Sequence, residues 1–242
     1  MSPELYFAVM LITNPQKARR ILIAEDWENW FMDLFDEEYE DILNGTFLSN
    51  QGEYIEQIVD KYLNTTGVSV GASDEYSRRV IEKATTTASQ IQESTVRNIL
   101  FPSTRQNKKS SVGYGVADGR NISDEVRDFI TAGIAFSASV YATNEIKKWL
   151  SKERANLIAL NEANWIMNNE EFFDAISGKT KKTWHTALDE KVRLTHIALE
   201  GVTIPINEQF HVGAYLMDYP LDSSYGAGAE EILNCRCAVS YS

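Results

Sequence analysis

The chain is 242 residues long, 43% hydrophobic and 24% charged, with a formal net charge of −12. That length builds one large domain or two small ones, and the composition is that of a folded globular protein. Such acidity excludes a general DNA binder working through its overall field, and leaves only local basic patches for such a contact.

The first apolar run, Leu5 to Ile12, has no basic residue before it, is too short to span a bilayer and is followed by no small-residue cleavage site. It reads as a buried segment of a protein without a cleaved export signal. From about Pro15 to Asn44 the bulky residues Trp27, Trp30, Phe31, Leu34, Phe35 and Ile42 recur at helical spacing. Asn14 before Pro15 is a natural cap, and Asn44-Gly45 a natural stop. The acidic residues of this stretch, among them Glu25, Asp26, Glu28, Asp33, Asp36, Glu37, Glu38, Glu40 and Asp41, are expected on a solvated face.

A second helix is expected from Glu53 to Leu63 with Ile55, Ile58, Val59 and Tyr62 inward. A third, capped by Ser73 or Asp74, reaches about Leu100 with Tyr76, Val80, Ile81, Ala84, Ala88, Ile91 and Ile99 inward. Residues 101–121 read as a linker carrying Arg105, Lys108 and Lys109, and Ser123 opens another helical region. A further helix runs from about Ser151 to Ile176, broken near Asn168-Asn169, with Gly178 at its end. The pattern then changes. Lys181 to Thr186 alternates as a strand, Asp189 to Leu199 reads as a helix stopped by Gly201, and Val202–Ile206 and Phe210–Val212 look extended. Leu221 to Gly228 is turn-rich, and Cys235 to Ser240 is a final strand. The fold class is therefore α+β: a mostly helical region over 1–120, ending in a Gly/Lys-rich linker, and a small α+β domain over 121–242.

The last sixty residues carry the specific signal. Lys182, Trp184, Asp189, Arg193, His196, Gly201, Phe210, Pro220, Asp222 and the string Asn234-Cys235-Arg236-Cys237 occur in an order and spacing that resembles the C-terminal domain of the phage Mu F-like minor head proteins. Arg154 and Glu162 fall where that family has a motif on the preceding helix. Three positions depart from its pattern: Asn161 stands where Thr is usual, Glu200 where Asp or Asn is commoner, and Leu221 where Gly usually separates Pro220 from Asp222. The resemblance implies a reduced ADP-ribosyltransferase-like fold and a structural role. It implies a protein inside the phage head, in the host cytoplasm during assembly, that binds the portal and the capsid or scaffold in head morphogenesis, DNA packaging or DNA ejection. No membrane is involved.

Three chemistries are weighed for the motif residues. A transferase would need a carboxylate for an oxocarbenium-like transition state, with Glu162 at the family position, yet fold similarity alone does not carry activity. A Cys–His nucleophile would pair Cys235 or Cys237 with His196, oriented by Asp189. A zinc site would use His196, Cys235 and Cys237, with Asp189 or His211 as a fourth ligand. Against both uses of the cysteines stands a packing role, with an Asp189–Arg193 pair at i, i+4. The two thiols, the only ones in the chain, are expected to diverge on a strand, which disfavours a bond or a shared ion. They do not form a secreted disulfide framework. Docking is expected through the Trp27/Trp30/Phe31 face or the acidic face opposite. Any DNA contact would use Arg105, Lys108 and Lys109 or the Lys179/Lys181/Lys182 cluster.

Overall fold

The computed structural model describes residues 14–100 and 146–242. The run at Leu5–Ile12, the linker with Arg105, Lys108 and Lys109, and the helical region expected from Ser123 lie outside them. Within the described residues no helix is long and apolar enough to cross a membrane. The chain forms two compact units whose described parts are 30–100 with 146–155, and 14–29 with 156–242.

Helix α1 spans Pro15–Asn44. Its start is set by Asn14, whose Oδ1 accepts the Lys17 N–H at 3.0 Å, and its end by Gly45 at φ +76°. In the helical unit, α1 continues with Phe31, Leu34 and Phe35 buried. The Asp41 carboxylate then ties the turn to the next helix: it accepts from Thr46 Oγ1 at 2.7 Å, Asn50 Nδ2 at 2.6 Å and the Tyr54 hydroxyl.

Helix α2 (Gln51–Thr66) closes on Gly67 in the left-handed region, whose N–H bonds Leu63 O. It is longer at both ends than expected, and its inward stripe is Tyr54, Ile58, Tyr62 and Leu63, while Ile55 and Val59 are half-buried. Helix α3 (Glu75–Leu100) is capped by Asp74, which accepts the Ser77 N–H at 2.9 Å. Val80, Ala84, Ala88, Ile91 and Ile99 are buried as expected, and Tyr76 and Ile81 are half-buried.

Glu38 corrects the reading of a wholly solvated acidic face. It is fully buried, accepts a hydrogen bond from Gln92 Nε2, and its carboxyl is lifted to about 7 by burial, against the pull of Gln92 and of the Arg154 charge. Trp27 and Phe31 are likewise fully buried, while Trp30 is half-buried, so two of the three aromatics of the expected docking face of α1 are core.

The other unit is built on helix α4 (Lys152–Ala175), which runs unbroken through Asn168-Asn169. Those two amides are accommodated within the helix: Asn168 Nδ2 donates back to Asn164 O one turn earlier and out to Cys237 O, and Asn169 Oδ1 accepts from the Tyr219 hydroxyl. The helix stops at Ala175, ahead of Gly178, where the Gly178 and Lys179 N–H groups bond Ala175 O.

Strand β1 (Lys181–His185) is the centre of an antiparallel sheet of order β2-β1-β5, with β2 at Thr203–Pro205 and β5 at Ala238–Tyr241. Its register pairs Lys182 with Ile204 and Tyr241, and Trp184 with Val239. The expected helix from Asp189 to Leu199 shrinks to α5 (Leu194–Ile197). Leu188 sits at φ +55° and Arg193 is extended at ψ 148°, so neither can continue a helix through that stretch.

A hairpin of β3 (Phe210–Val212) and β4 (Tyr215–Met217) follows. Gly213 opens its two-residue turn at φ +59°, a conformation that favours glycine, and a Cβ there would lie 2.9 Å from Glu231 Oε1. Neither β4 nor helix α6 (Ala229–Ile232) was expected from sequence. The final strand begins at Ala238, after both cysteines.

Candidate functional site

The family-pattern residues lie mostly inside the α+β unit, and each solves a local problem of the fold. Lys182 and Trp184 are two apart on β1 and therefore share its inner face. Lys182 is fully buried; its ammonium donates to Asp218 O at 2.9 Å, lies 3.5 Å from Asp218 Oδ1, and sits over the rings of Phe172 and Phe210 at 4.9 and 5.4 Å. It is thus withdrawn from the basic cluster with Lys179 and Lys181, which are exposed. Trp184, also fully buried, packs edge-on to Phe210 and to His196, with centroids 5.1 and 5.6 Å apart.

The loops are set by unusual backbone. Gly201, at φ +72°, turns the chain so that its N–H reaches Trp184 O at 2.9 Å. Pro220 is buried, and Asp222 accepts the N–H groups of Asp218 at 2.8 Å and Ser224 at 3.0 Å, organising the loop around itself. Leu221 between them adopts φ +70° with its side chain fully buried. Glycine is natural at such a φ, and here burial of the leucine offsets the strain. Asn234 adopts φ +57°, and its N–H donates to Asn161 Oδ1 at 3.0 Å.

The string from Asn234 to Cys237 is held from one side by α4. Asn164 Nδ2 donates to Cys235 O at 2.7 Å and to Cys237 O at 3.4 Å, joined by Asn168. Its two sulfurs lie against His196. Nδ1 of that ring is 3.4 Å from Cys237 Sγ and 3.5 Å from Cys235 Sγ. The expectation that the thiols diverge is overturned, because residues two apart in an extended segment share a side. They are free thiols, 3% and 2% exposed. The Cys237 thiol hydrogen-bonds Cys235, which draws the Cys235 pKa below its ordinary range and, with burial, pushes that of Cys237 up.

On its far side His196 Nε2 meets Glu231 Oε2 at 3.0 Å, and Thr195 Oγ1 donates to the same oxygen at 2.8 Å. Glu231 was not found by sequence reasoning, and no spacing in the sequence announces it. Asp189 does not orient His196. It holds Arg236 in a two-pronged ion pair, both contacts at 2.6 Å, and this pairing keeps its carboxyl low, at about 2. Arg193 donates to Leu233 O rather than pairing with Asp189, which corrects the i, i+4 pair. His211 lies on the exposed side of β3, apart from the cluster.

His196, Cys235 and Cys237 bring their donor atoms within 4.8 Å of one another, an arrangement able to coordinate a metal ion. Glu162 is fully buried in α4, with Asn161 Nδ2 donating to its Oε1 at 3.0 Å. Arg154 belongs to the helical unit, where its guanidinium donates to Ser94 and Thr95 hydroxyls at 2.9 Å and to the carbonyls of Ile91 and Trp149.

Comparison with known proteins gives one family. The family described as "Phage Mu protein F like protein" matches residues 120–240. No curated protein and no solved structure matches the chain. The family match covers half of the chain, including β1, the His196/Cys235/Cys237 cluster and the loops set by Gly201, Asp222 and Asn234. The chain belongs to the Phage Mu protein F like family, a family of phage head morphogenesis.

Proposed function

We propose that this protein is a phage minor head protein that binds the portal or the inner capsid and serves head assembly, DNA packaging or ejection by contact rather than by chemistry. Family membership over residues 120–240 is the observation that carries this reading. The placement of Lys182, Trp184, Gly201, Asp222 and Asn234 in the fold itself supports it. The protein then resides in the virion, after assembly in the host cytoplasm. A division near residue 120 into a helical region and a Mu F-like domain belongs to the same proposal, supported by the residue at which the family match begins. So does a reduced ADP-ribosyltransferase-like fold, supported by the antiparallel β2-β1-β5 sheet packed on α4.

With Trp27 and Phe31 in the core, docking falls to the exposed acids of α1, Asp33, Asp36, Glu37 and Glu40. A basic surface on the portal is the matching partner. Contact with DNA is left to Lys179 and Lys181, together with Arg105, Lys108 and Lys109. In this reading the His196/Cys235/Cys237 cluster is structural, and zinc is the ion whose preferences suit one imidazole and two thiolates. Transferase activity is disfavoured by the full burial of Glu162 in mid-helix.

The test is co-purification of the tagged chain with the portal of the same phage, repeated for the variant Asp33→Asn/Asp36→Asn/Glu37→Gln/Glu40→Gln. Salt-sensitive recovery of portal with the parent and loss with the variant is expected. Equal recovery by both would remove the acidic face from the proposal, and no portal in either would remove the proposal itself. DNA retention that does not weaken with salt would exclude the lysine contacts.

A further inference from the structure

We infer that the zinc site has three protein ligands, His196 Nδ1, Cys235 Sγ and Cys237 Sγ, and a fourth position that faces solvent and takes a small anion or water from outside the chain. This rests on the zinc reading above and extends it to the coordination of the ion.

The distances fit. With bonds of about 2.3 Å to sulfur and about 2.0–2.1 Å to nitrogen, a tetrahedral zinc ion separates an imidazole nitrogen from a thiolate by about 3.5 Å. The two separations here are 3.4 and 3.5 Å. The imidazole is preset for the task. Its Nε2 lies against Glu231, so the proton belongs on Nε2, and the Nδ1 lone pair is directed between the two sulfurs. A carboxylate behind a metal-bound histidine is the usual outer partner, fixing both tautomer and ring orientation. The backbone is preset as well, since Asn164 and Asn168 hold both cysteine carbonyls on the α4 side while the sulfurs lie against α5.

A fourth ligand is not provided by the described residues. The group contains only these three donors. Asp189 is committed to Arg236, and Glu231 to the other nitrogen of His196. Instead, a small cleft reaches the cluster from solvent between Lys191, Arg193, Asn234 and Arg236. A zinc ion with two thiolates and a neutral imidazole carries no net charge, and the cleft rim is mostly cationic. The neutral core leaves the choice of ligand to the rim, where Lys191 and Arg193 beside the Asp189-paired Arg236 favour an anion in the open position. On binding, each thiol releases its proton to solvent and each sulfur donates an electron pair to the ion, with no redox change.

The test uses the full chain, freed of metal by mild chelation and titrated with cobalt(II). One equivalent is expected to give a thiolate charge-transfer band together with the d–d bands of four-coordinate cobalt, and sodium azide is expected to shift the d–d bands. Cobalt bound with thiolate charge transfer but unmoved by excess azide would overturn the open position and leave the zinc reading standing. Absence of a charge-transfer band would overturn both. Glu231→Gln is expected to weaken cobalt affinity by about 10–100-fold with the spectrum retained. Unchanged affinity would remove Glu231 from the site's support. Cys237→Ser, folded or not, should lose charge-transfer intensity, and a full-intensity band in that variant would overturn the ligand assignment.

Discussion

The two compact units differ in the polar groups that join their helices to neighbouring elements. The helical unit uses charge: Arg154 lies over the rings of Phe35 and Trp149 and gathers two hydroxyls and one carbonyl of α3, while the Glu38 carboxyl is buried against Gln92. The α+β unit joins α4 to its neighbours with neutral amides. Residues 161–169 of α4 are all buried, and Asn161, Asn164, Asn168 and Asn169 reach Asn234, Cys235, Cys237 and Tyr219. An amide does not titrate, so one join is insensitive to pH and the other is not.

The largest effect is expected from placing a charge in the amide ladder. Asn164→Asp would set a carboxylate against the carbonyls of Cys235 and Cys237, and should cost about 3–5 kcal/mol at neutral pH. The loss should shrink in acid, where the protonated side chain donates again. Urea unfolding at pH 4.5 and pH 8 checks this, and an equal loss at both would break the contrast between the two units.

The next effect runs the other way. Because the folded Glu38 pKa of about 7 lies above its ordinary 4.5, the folded chain holds a proton that the unfolded chain has lost between those values. The stability due to this group is therefore full below about pH 4.5, falls as pH rises to about 7, and is flat above. Glu38→Gln keeps an acceptor for Gln92 and should raise stability at pH 8 by about 2–3 kcal/mol while removing that slope. A variant with the parent's pH profile would place the titration elsewhere.

Smaller effects sharpen the local accounts. Leu221→Gly relieves a left-handed residue but empties a buried site, with a net loss of about 1–2 kcal/mol by thermal unfolding. A gain would show that strain outweighs burial there. Asn14→Ala removes the cap of α1 and should cost about 1 kcal/mol, read as fraying of the first turn in hydrogen exchange.

The legible parts of the fold are those specified by neighbours in sequence. Asn14-Pro15 and Asn44-Gly45 bound α1 because caps and stops act within a turn. The stretch from Asp189 to Leu199 has helical apolar spacing, but Arg193 is extended and its side chain is held by Leu233 O, 40 residues away. Lys182 reads as part of a surface lysine cluster, although its period-two spacing from Trp184 puts both on one buried face. The cysteines' convergence was open to the same period-two argument. Glu231 and the role of Asn164 were not legible, since their partners lie 35 and 71 residues away.

Those separations govern how the unit forms. β1 obtains its second partner from β5 across the whole hairpin and loop region, and the ladder on α4 closes only when residues 234–237 arrive. Such closures are entropically expensive and slow compared with the local contacts of α2 and α3. The helices of the first region therefore order early, and docking of the C-terminal segment is the late step of folding. Until that step, Cys235 and Cys237 are two accessible thiols without their imidazole, and their final geometry follows the closure of the α4 ladder.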